Sequence, residues 1–262
     1  MDKPWIIVQY DNRVIEEKYL KLIDINKKYC LKYGYDYILE TKEYDIPPWW
    51  VKVRLVKDLL ETNKYKGALW LDTDAVIHNH DMPLDSLLIE GKSMYYSPDC
   101  PRWDGKLNAG VWLIINDTKG NEIMEKWINS YSSGDWKKTD NKWSSLGSWA
   151  GSTYEQGAFL EFVQPHFKEN IQLYPWKVLQ SYEFDIHTFT MHFAGELSDE
   201  YLPTYLKNKI ENFCNGNIYY GKVLYEIFLL LIIFIVIIFF TYVIHSNSSL
   251  YKLLQPFQKI KL

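Results

Sequence analysis

Apolar and polar residues alternate in short blocks along the first part of this chain. An apolar run from Trp5 to Gln9 is followed by residues with apolar positions at helical spacing, which end at Gly34, a residue suited to a helix C-terminus. A second strand-like run extends from Tyr35 to Leu39, and Pro47 and Pro48 then interrupt the chain. The pattern predicts a strand, a helix and a second strand before this break.

A second helix and a buried strand continue the alternation. The predicted buried side of the helix consists of aliphatic residues, namely Val53, Val56, Leu59 and Leu60. The run from Gly67 to Leu71 is wholly apolar, as in strands covered on both faces. This β-α-β-α-β order favours an α/β fold with a mostly parallel, doubly wound sheet, in which ligands gather outside the carboxyl ends of the strands.

The elements predicted further along are less regular. They comprise strands at Gly110–Ile115, Ile171–Tyr174 and Thr188–Phe193, and helices at Glu122–Tyr131 and Glu155–Phe162. Between them, Ser132 to Ser152 is rich in Ser, Gly and Trp and has no periodicity. We expect a long loop there, and loops of this length are usually functional lids or disordered segments.

The C-terminal part has a different composition. Residues 227–244 are almost all Ile, Leu, Phe and Val, and a helix of this length would reach about 27 Å, close to the thickness of a bilayer core. We therefore predict a catalytic domain at 1–215, a linker at 216–226, a transmembrane helix at 227–244 and a tail at 245–262. Because the N-terminus lacks the features of a signal peptide, we expect a single-pass membrane protein with a cytosolic catalytic domain.

Composition narrows the range of partners. The net charge of −4 is small and its signs are mixed along the chain, so nucleic acid is not an expected partner. Aromatic residues make up 17% of the sequence, which suits the recognition of sugar rings. The three cysteines lie far apart and outside any metal-ligand spacing, so we interpret them as reduced thiols.

The chemistry is predicted to centre on two aspartates at the end of the apolar strand. Asp72 and Asp74 are separated by one residue, so strand alternation places both on one face. Carboxylates, phosphate oxygens and water are the ligands that Mg²⁺ and Mn²⁺ prefer. His192, at the end of a later apolar strand and followed by Gly195, would add an imidazole and shift the preference toward Mn²⁺.

Three further segments carry candidate ligand-binding residues. Asn108 and Gly110 open a strand, where a glycine lets backbone approach a ligand closely and an amide can bridge hydroxyls. Lys52 lies one turn into the second helix, where it could contact a diphosphate. Glu155 and Gln156 begin a helix after the long loop. Each segment alone is also explained by a turn, a solvated charge or a helix start.

Taken in order, these segments resemble glycosyltransferase family 34. The resemblance extends from residue 5 to 196 and rests on six motifs: Tyr33-Gly34-Tyr35-Asp36, Trp50-Val51-Lys52, Leu71 to Ile77, Asn108-Ala109-Gly110-Val111, Glu155-Gln156 and His192-Phe193-Ala194-Gly195. It implies a glycosyltransferase-A fold and a retaining enzyme that uses a UDP- or GDP-sugar donor and a glycan acceptor. Glycosyltransferase family 8 shares several of these motifs and is the near neighbour.

The resemblance also implies roles for individual residues. Asp72, Asp74 and His192 match metal ligands, Gln156 matches the residue beneath the sugar ring, and Glu155 matches its neighbouring acid. One departure is that related enzymes place a lysine for the diphosphate shortly after the histidine motif, whereas Glu196-Leu197-Ser198-Asp199 stands here. Lys52 or Arg54 is the expected substitute.

The sequence is also compatible with two other functions. A catalytically impaired, membrane-anchored carbohydrate-binding or scaffold protein would explain the missing lysine. A haloacid dehalogenase-like phosphatase also uses an Asp-x-Asp motif after a parallel strand. Such phosphatases place that motif on the first strand, however, whereas two predicted strands precede Asp72 here.

Overall fold

The computed structural model describes residues 3–103 and 105–209. The chain divides after Pro203, and the first unit holds every predicted site residue. Its strands are β1 (Trp5–Tyr10), β2 (Asp36–Glu40), β3 (Gly67–Leu71), β4 (Ala75–Ile77), β5 (Met94–Tyr96), β6 (Val111–Ile115), β7 (Trp136–Thr139), β8 (Lys142–Ser145), β9 (Ile171–Leu173) and β10 (Thr190–His192). Its α-helices are α1 (Glu17–Tyr33), α2 (Pro48–Glu61), α3 (Thr118–Ile128), α4 (Glu155–Ala158), α5 (Trp176–Leu179) and α6 (Leu197–Glu200).

A six-stranded sheet in the order β2-β1-β3-β6-β5-β9 forms the centre of this unit. The β1 strand pairs in parallel with β2 and β3, and β5 pairs in parallel with β9. In contrast, β6 runs antiparallel to both of its neighbours, β3 and β5. The predicted α/β class with a mostly parallel sheet is confirmed, and β6 is the strand that makes the sheet mixed.

Helices pack on both faces of this sheet. Successive residues of a strand point to opposite faces, so one strand can contribute side chains to both. On one face, Trp70 and Trp112 pack with Trp50 of α2 and Trp127 of α3 in a single buried cluster. On the other face, Leu69 and Leu71 of the same β3 strand lie in a second buried cluster, which includes residues of α1. Burial on both faces explains why β3 is apolar throughout.

Three predicted elements differ in the structure. The segment 132–152 is not an unstructured loop, because it contains a hairpin formed by β7 and β8. The helix predicted at Glu155–Phe162 is a short α4 that continues as a π-helix at Phe159–Val163. The last predicted strand is β10, which pairs antiparallel with β4 in a separate two-stranded sheet.

The predicted membrane segment cannot be compared with the structure. The linker at 216–226, the span at 227–244 and the tail at 245–262 lie outside the described residues. Within residues 3–103 and 105–209, no helix has both the length and the apolar character needed to cross a bilayer. The membrane anchor therefore stays a prediction.

Candidate functional site

The two motif aspartates lie in a tight turn between β3 and β4. The backbone N–H of Asp72 donates to the carbonyl of Gly110 at 2.7 Å, and its own carbonyl accepts from the N–H of Ala75 at 2.9 Å. The first bond forms because β6 is antiparallel to β3, so the start of β6 meets the end of β3. The turn leaves both aspartate side chains partly exposed at the carboxyl end of β3.

Strand β10 brings His192 to this turn from 118 residues away. His192 lies opposite Ala75 in the β4–β10 ladder, and the N–H of Phe193 donates to the carbonyl of Asp74 at 3.0 Å. The Nε2 atom of His192 is 3.1 Å from Oδ1 of Asp74. Ligand atoms of Asp72, Asp74 and His192 all lie within 4.8 Å of one another, close enough to hold one metal ion.

Gln180 sets the orientation of the His192 ring and was missed by the sequence analysis. Its amide nitrogen donates to the carbonyls of Asn108, at 2.9 Å, and Val111, at 3.2 Å. The amide oxygen therefore faces Nδ1 of His192, at 2.6 Å. Since this oxygen only accepts, Nδ1 carries a proton and donates it to Gln180, while Nε2 faces Asp74. Gln180 follows α5 without any motif around it, so no sequence pattern marks it.

A buried lysine connects Asp72 to Glu155. The Nζ atom of Lys52 lies 3.0 Å from Oδ1 of Asp72, 3.1 Å from the carbonyl of Ala109 and 3.3 Å from Oε1 of Glu155. These partners use its three N–H groups. Trp70 donates a further hydrogen bond from its indole to Oδ1 of Asp72 at 2.8 Å. Lys52 and Trp70 therefore hold the Asp72 carboxylate in position.

The electrostatics of this cluster follow from burial and pairing. Burial alone would lower the pKa of Lys52, but the charges of Asp72 and Glu155 outweigh it and raise the pKa. Burial raises the pKa of Glu155, and Lys52 opposes this only in part. For Asp74, burial would raise the pKa, but the neighbouring His192 outweighs it and lowers the pKa. Lys52 and Asp74 are therefore charged at neutral pH.

A cavity of about 620 Å³ opens at this edge of the sheet, and Asp72, Asp74 and Gly195 line it. Arg13 lines it too and is held by Asp11 through two hydrogen bonds, both of 2.8 Å. Asp11 is 5% exposed and also accepts from the hydroxyl of Thr73 at 3.0 Å, within the aspartate turn. Burial would raise the pKa of Asp11, but the bonds from Arg13 and Thr73 outweigh it and lower the pKa.

Asp11 was not singled out by the sequence analysis, although one signal was available. It directly follows β1, and an acid at the carboxyl end of a parallel strand lies at the ligand-binding edge of such a sheet.

The remaining predicted residues have different positions. The side chain of Asn108 is held by Gly110 and Asp99, so its amide is turned toward protein atoms. Arg54 is exposed and pairs with Asp58 on the outer face of α2. Glu155 is buried and, like the partly exposed Gln156, does not belong to the residues that line the 620 Å³ cavity.

Gly110 has a steric role. A Cβ at this position would overlap Cε1 of His192 and lie 2.7 Å from its Nε2. A side chain there would displace the imidazole, so glycine is needed to make room for the ring.

Comparisons with known proteins identify the fold. No protein-family model matches the chain, and no curated protein matches it. Among solved structures, a glycosyltransferase involved in the glycosylation of the major capsid of PBCV-1 aligns with a TM-score of 0.61 at 16% identity, covering 77% of this chain and 99% of that one. The chain shares the fold of that glycosyltransferase, which is consistent with the glycosyltransferase-A type.

Two more distant structures are also glycosyltransferases. GlyE of Streptococcus pneumoniae TIGR4 has a TM-score of 0.45 at 14% identity, over 74% of this chain and 55% of that one. A mutant of Drosophila β1,4-galactosyltransferase 7, in complex with manganese, UDP-Gal and xylobiose, has a TM-score of 0.42 at 9% identity, over 76% of this chain and 74% of that one. Neither family 34 nor family 8 is singled out by these comparisons.

Proposed function

We propose that this protein is a metal-dependent glycosyltransferase that moves a hexose or pentose from a UDP- or GDP-sugar to a hydroxyl group of a glycan or other acceptor. The observation that carries the proposal is the convergence of Asp72, Asp74 and His192, within 4.8 Å of one another, beside a cavity of about 620 Å³. Their position at the carboxyl end of β3, in a glycosyltransferase-A type fold, is where ligands bind in such sheets.

The donor set fits a divalent cation. Two carboxylates and one imidazole favour Mn²⁺ over Mg²⁺. When bound, such a cation would neutralise the diphosphate and so stabilise the departing nucleoside diphosphate. The task of Asp72, Asp74 and His192 is to hold it at the cavity edge, while Lys52 pairs with the Asp72 carboxylate and orients it.

Arg13 is proposed to be the positively charged side chain that contacts the diphosphate. Lys52 has its three donors engaged by protein groups, and Arg54 pairs with Asp58 on the outer face of α2. Arg13 is 79% exposed in the wall of the cavity, and Asp11 fixes its orientation. A guanidinium group matches the geometry of phosphate oxygens. In this proposal, Arg13 makes the contact with the diphosphate that was expected from Lys52 or Arg54.

A retaining reaction is the proposed stereochemical course. The acceptor hydroxyl would approach from the side of the leaving group, and a departing phosphate oxygen would take its proton. Gln156 is proposed to stabilise positive charge on the opposite face of the sugar ring. Glu155 supports this arrangement as the buried counterion of Lys52.

Metal-linked nucleotide binding tests the proposed function. The full-length protein is titrated calorimetrically with UDP, GDP and their sugars, with and without Mn²⁺, and a donor screen then scores the release of nucleoside diphosphate. We expect one nucleotide series to bind only in the presence of Mn²⁺. A scaffold or carbohydrate-binding protein would show no metal-linked nucleotide binding, and that outcome would overturn the proposal.

Gln180→Leu is expected to weaken Mn²⁺ binding by about 10- to 100-fold, as is usual when a hydrogen-bonding partner of a metal ligand is removed. Loss of the acceptor 2.6 Å from Nδ1 removes the hydrogen bond that orients the His192 ring. The electron paramagnetic resonance signal of free Mn²⁺ measures the affinity. Gln164→Leu is the control, because Gln164 bonds to the hydroxyl of Tyr96 and not to His192. Equal Mn²⁺ affinities in Gln164→Leu and Gln180→Leu would contradict the assignment.

Gly110→Ala should impair the metal site without removing any ligand. The new methyl group would overlap the enclosed His192 ring, so the ring must turn away from the aspartates. We expect Mn²⁺ affinity, followed by the electron paramagnetic resonance signal of free Mn²⁺, to fall about 30-fold or more, within the range known for disturbed ligand orientation. Gly134→Ala is the control, because its Cβ meets only the Ser132 hydroxyl at 3.9 Å. Equal affinities in both variants would refute the steric argument.

We also propose that the enzyme acts at a membrane surface. The apolar residues 227–244 support a C-terminal membrane anchor. Association of the full-length protein with sealed vesicles, before and after carbonate washing, tests this anchor. Release of the intact protein by carbonate washing would overturn the anchor.

A further inference from the structure

A second cavity, of about 530 Å³, lies next to the one that contains the aspartates. The two cavities share one wall, formed by Tyr10, Asn12, Arg13, Pro48 and Trp49. These residues end or follow β1, or they begin α2, so the wall belongs to the same ligand-binding edge of the sheet. A ligand in the second cavity would therefore be adjacent to a donor in the first.

The far wall of the second cavity is the β7–β8 hairpin. Its two-residue turn consists of Asp140 and Asn141, with φ values of 49° and 60°. Positive φ at both positions is typical of the tight hairpin turn whose twist matches that of the flanking strands. Lys138, Lys142 and Trp143 of this hairpin line the cavity. The regular turn gives the backbone of this cavity wall a defined shape.

Aromatic stacking attaches the hairpin to the shared wall. Trp136, the first residue of β7, is 6% exposed and stacks on Trp49, with ring centroids 5.4 Å apart. Tyr154 packs edge-on against both rings, at 5.2 Å from Trp49 and 5.0 Å from Trp136. Because Tyr154 directly precedes Glu155, the base of the hairpin is tied to the segment that holds Glu155 and Gln156.

Flat apolar surfaces and positive charge meet in this cavity. Tyr44, Trp49 and Trp143 are partly buried in its walls, as expected of surfaces on which sugar rings stack. The ammonium group of Lys138 lies 5.4 Å from the centre of the Trp143 ring. A cation beside an aromatic face is suited to a sugar ring that carries an anionic substituent.

The charges of the lining residues favour an anion. Lys138 and Lys142 form no salt bridge with any residue in the described part of the chain. Arg13 contributes a third positive charge but is already paired with Asp11. Glu43 is the one carboxylate among the residues that line the second cavity. The positive charges of the two lysines are therefore not paired with a carboxylate of the described residues and can pair with an anionic ligand.

We propose that the second cavity binds the acceptor, and that this acceptor is a saccharide carrying a carboxylate or phosphate group. The proposal rests on the transferase function proposed above. In the transfer, an acceptor hydroxyl oxygen forms a bond to the anomeric carbon of the donor sugar. The bond from that carbon to the phosphate oxygen breaks, its electron pair leaves with the nucleoside diphosphate, and the hydroxyl proton passes to a phosphate oxygen.

Matched pairs of sugars test the preference for an anion. The full-length protein, with Mn²⁺ and whichever of UDP or GDP it binds, is titrated with methyl glucuronide against methyl glucoside and with glucose 6-phosphate against glucose. We expect the anionic member of at least one pair to bind about five- to tenfold more tightly, the range for one or two exposed ion pairs. The preference should largely disappear in about 1 M NaCl, where exposed charges are screened.

Variants of the hairpin assign that preference to particular lysines. Lys138→Ala/Lys142→Ala should bind the anionic and neutral members of a pair within about twofold of each other, because both ion pairs are lost. Lys137→Ala is the control. Lys137 lies next to Lys138 on β7 and carries the same charge as Lys138, but it does not line the cavity. Equal affinity of the wild-type protein for both members of each pair, or an equal loss in Lys137→Ala, would overturn the proposal.

The two proposals fail in different ways. Metal-linked nucleotide binding by a wild-type protein that lacks any preference for anionic sugars would overturn the acceptor proposal and leave the transferase function standing. Absence of metal-linked nucleotide binding would overturn the transferase function and, with it, the acceptor role of the cavity.

Discussion

Asp74→Asn is expected to abolish Mn²⁺-dependent nucleotide binding and to reduce sugar transfer by about 10³-fold or more. The substitution keeps the shape of the side chain but removes the charge that faces Nε2 of His192 at 3.1 Å. Charge stabilisation by a bound metal is worth several kcal/mol in such reactions, and each 1.4 kcal/mol corresponds to about a tenfold change in rate. Initial rates of nucleoside diphosphate release, with and without Mn²⁺, measure the effect.

The fold should survive this change. The backbone carbonyl of Asp74, which accepts from Phe193, is unaffected, so the thermal midpoint is expected to stay within a few degrees of wild type. Asp58→Asn is the control, because Asp58 is an exposed acid on α2 that pairs with Arg54. Full Mn²⁺-dependent activity in Asp74→Asn would remove Asp74 from the metal site and with it the main support for the proposed function.

Lys52→Met is expected to lower the free energy of unfolding by about 3–5 kcal/mol, the usual cost of removing one partner of a buried ion pair. Methionine fills a similar volume but leaves the buried Glu155 without its counterion and Asp72 without one of its donors. The second carboxylate oxygen of Glu155 already has no hydrogen-bond partner among the described residues. Urea denaturation followed by tryptophan fluorescence measures the loss.

A double substitution separates the charge effect from the packing effect. Lys52→Met/Glu155→Gln should recover part of the lost stability, because the uncompensated buried charge is gone. Lys57→Met, on the same helix, breaks more exposed pairs with Glu61 and Glu125 and should cost no more than about 1 kcal/mol. A cost for Lys52→Met as small as that for Lys57→Met would show that the buried network contributes little.

The sequence predicted the parallel half of the sheet well because local patterns determine it. The strands ending at Tyr10 and Leu71 are apolar, end in polar residues and alternate with amphipathic helices, so each element is visible by itself. The alternation could not show that β6 runs antiparallel to β3, since strand direction depends on non-local pairing. This reversal is what places the carbonyl of Gly110 against Asp72 at the start of β6.

The hairpin at 136–145 was not predicted from the sequence, for a different reason. Its strands are short and mostly polar, with Lys137, Lys138 and Lys142 among their residues, so they lack an apolar face of their own. They are stabilised by contacts made elsewhere in the chain, chiefly the stacking of Trp136 on Trp49. Local patterns cannot report a strand whose apolar partner is 87 residues away in sequence.

By itself, the sequence determined the α/β class, the strand that ends just before Asp72 and the residue types of a metal site. Tertiary structure decided that His192 reaches Asp74, that Gln180 orients its ring and that Lys52 is buried between Asp72 and Glu155. The reason is physical: periodicity reports which face of an element is buried, whereas ligand sets and ion pairs depend on pairings between distant segments.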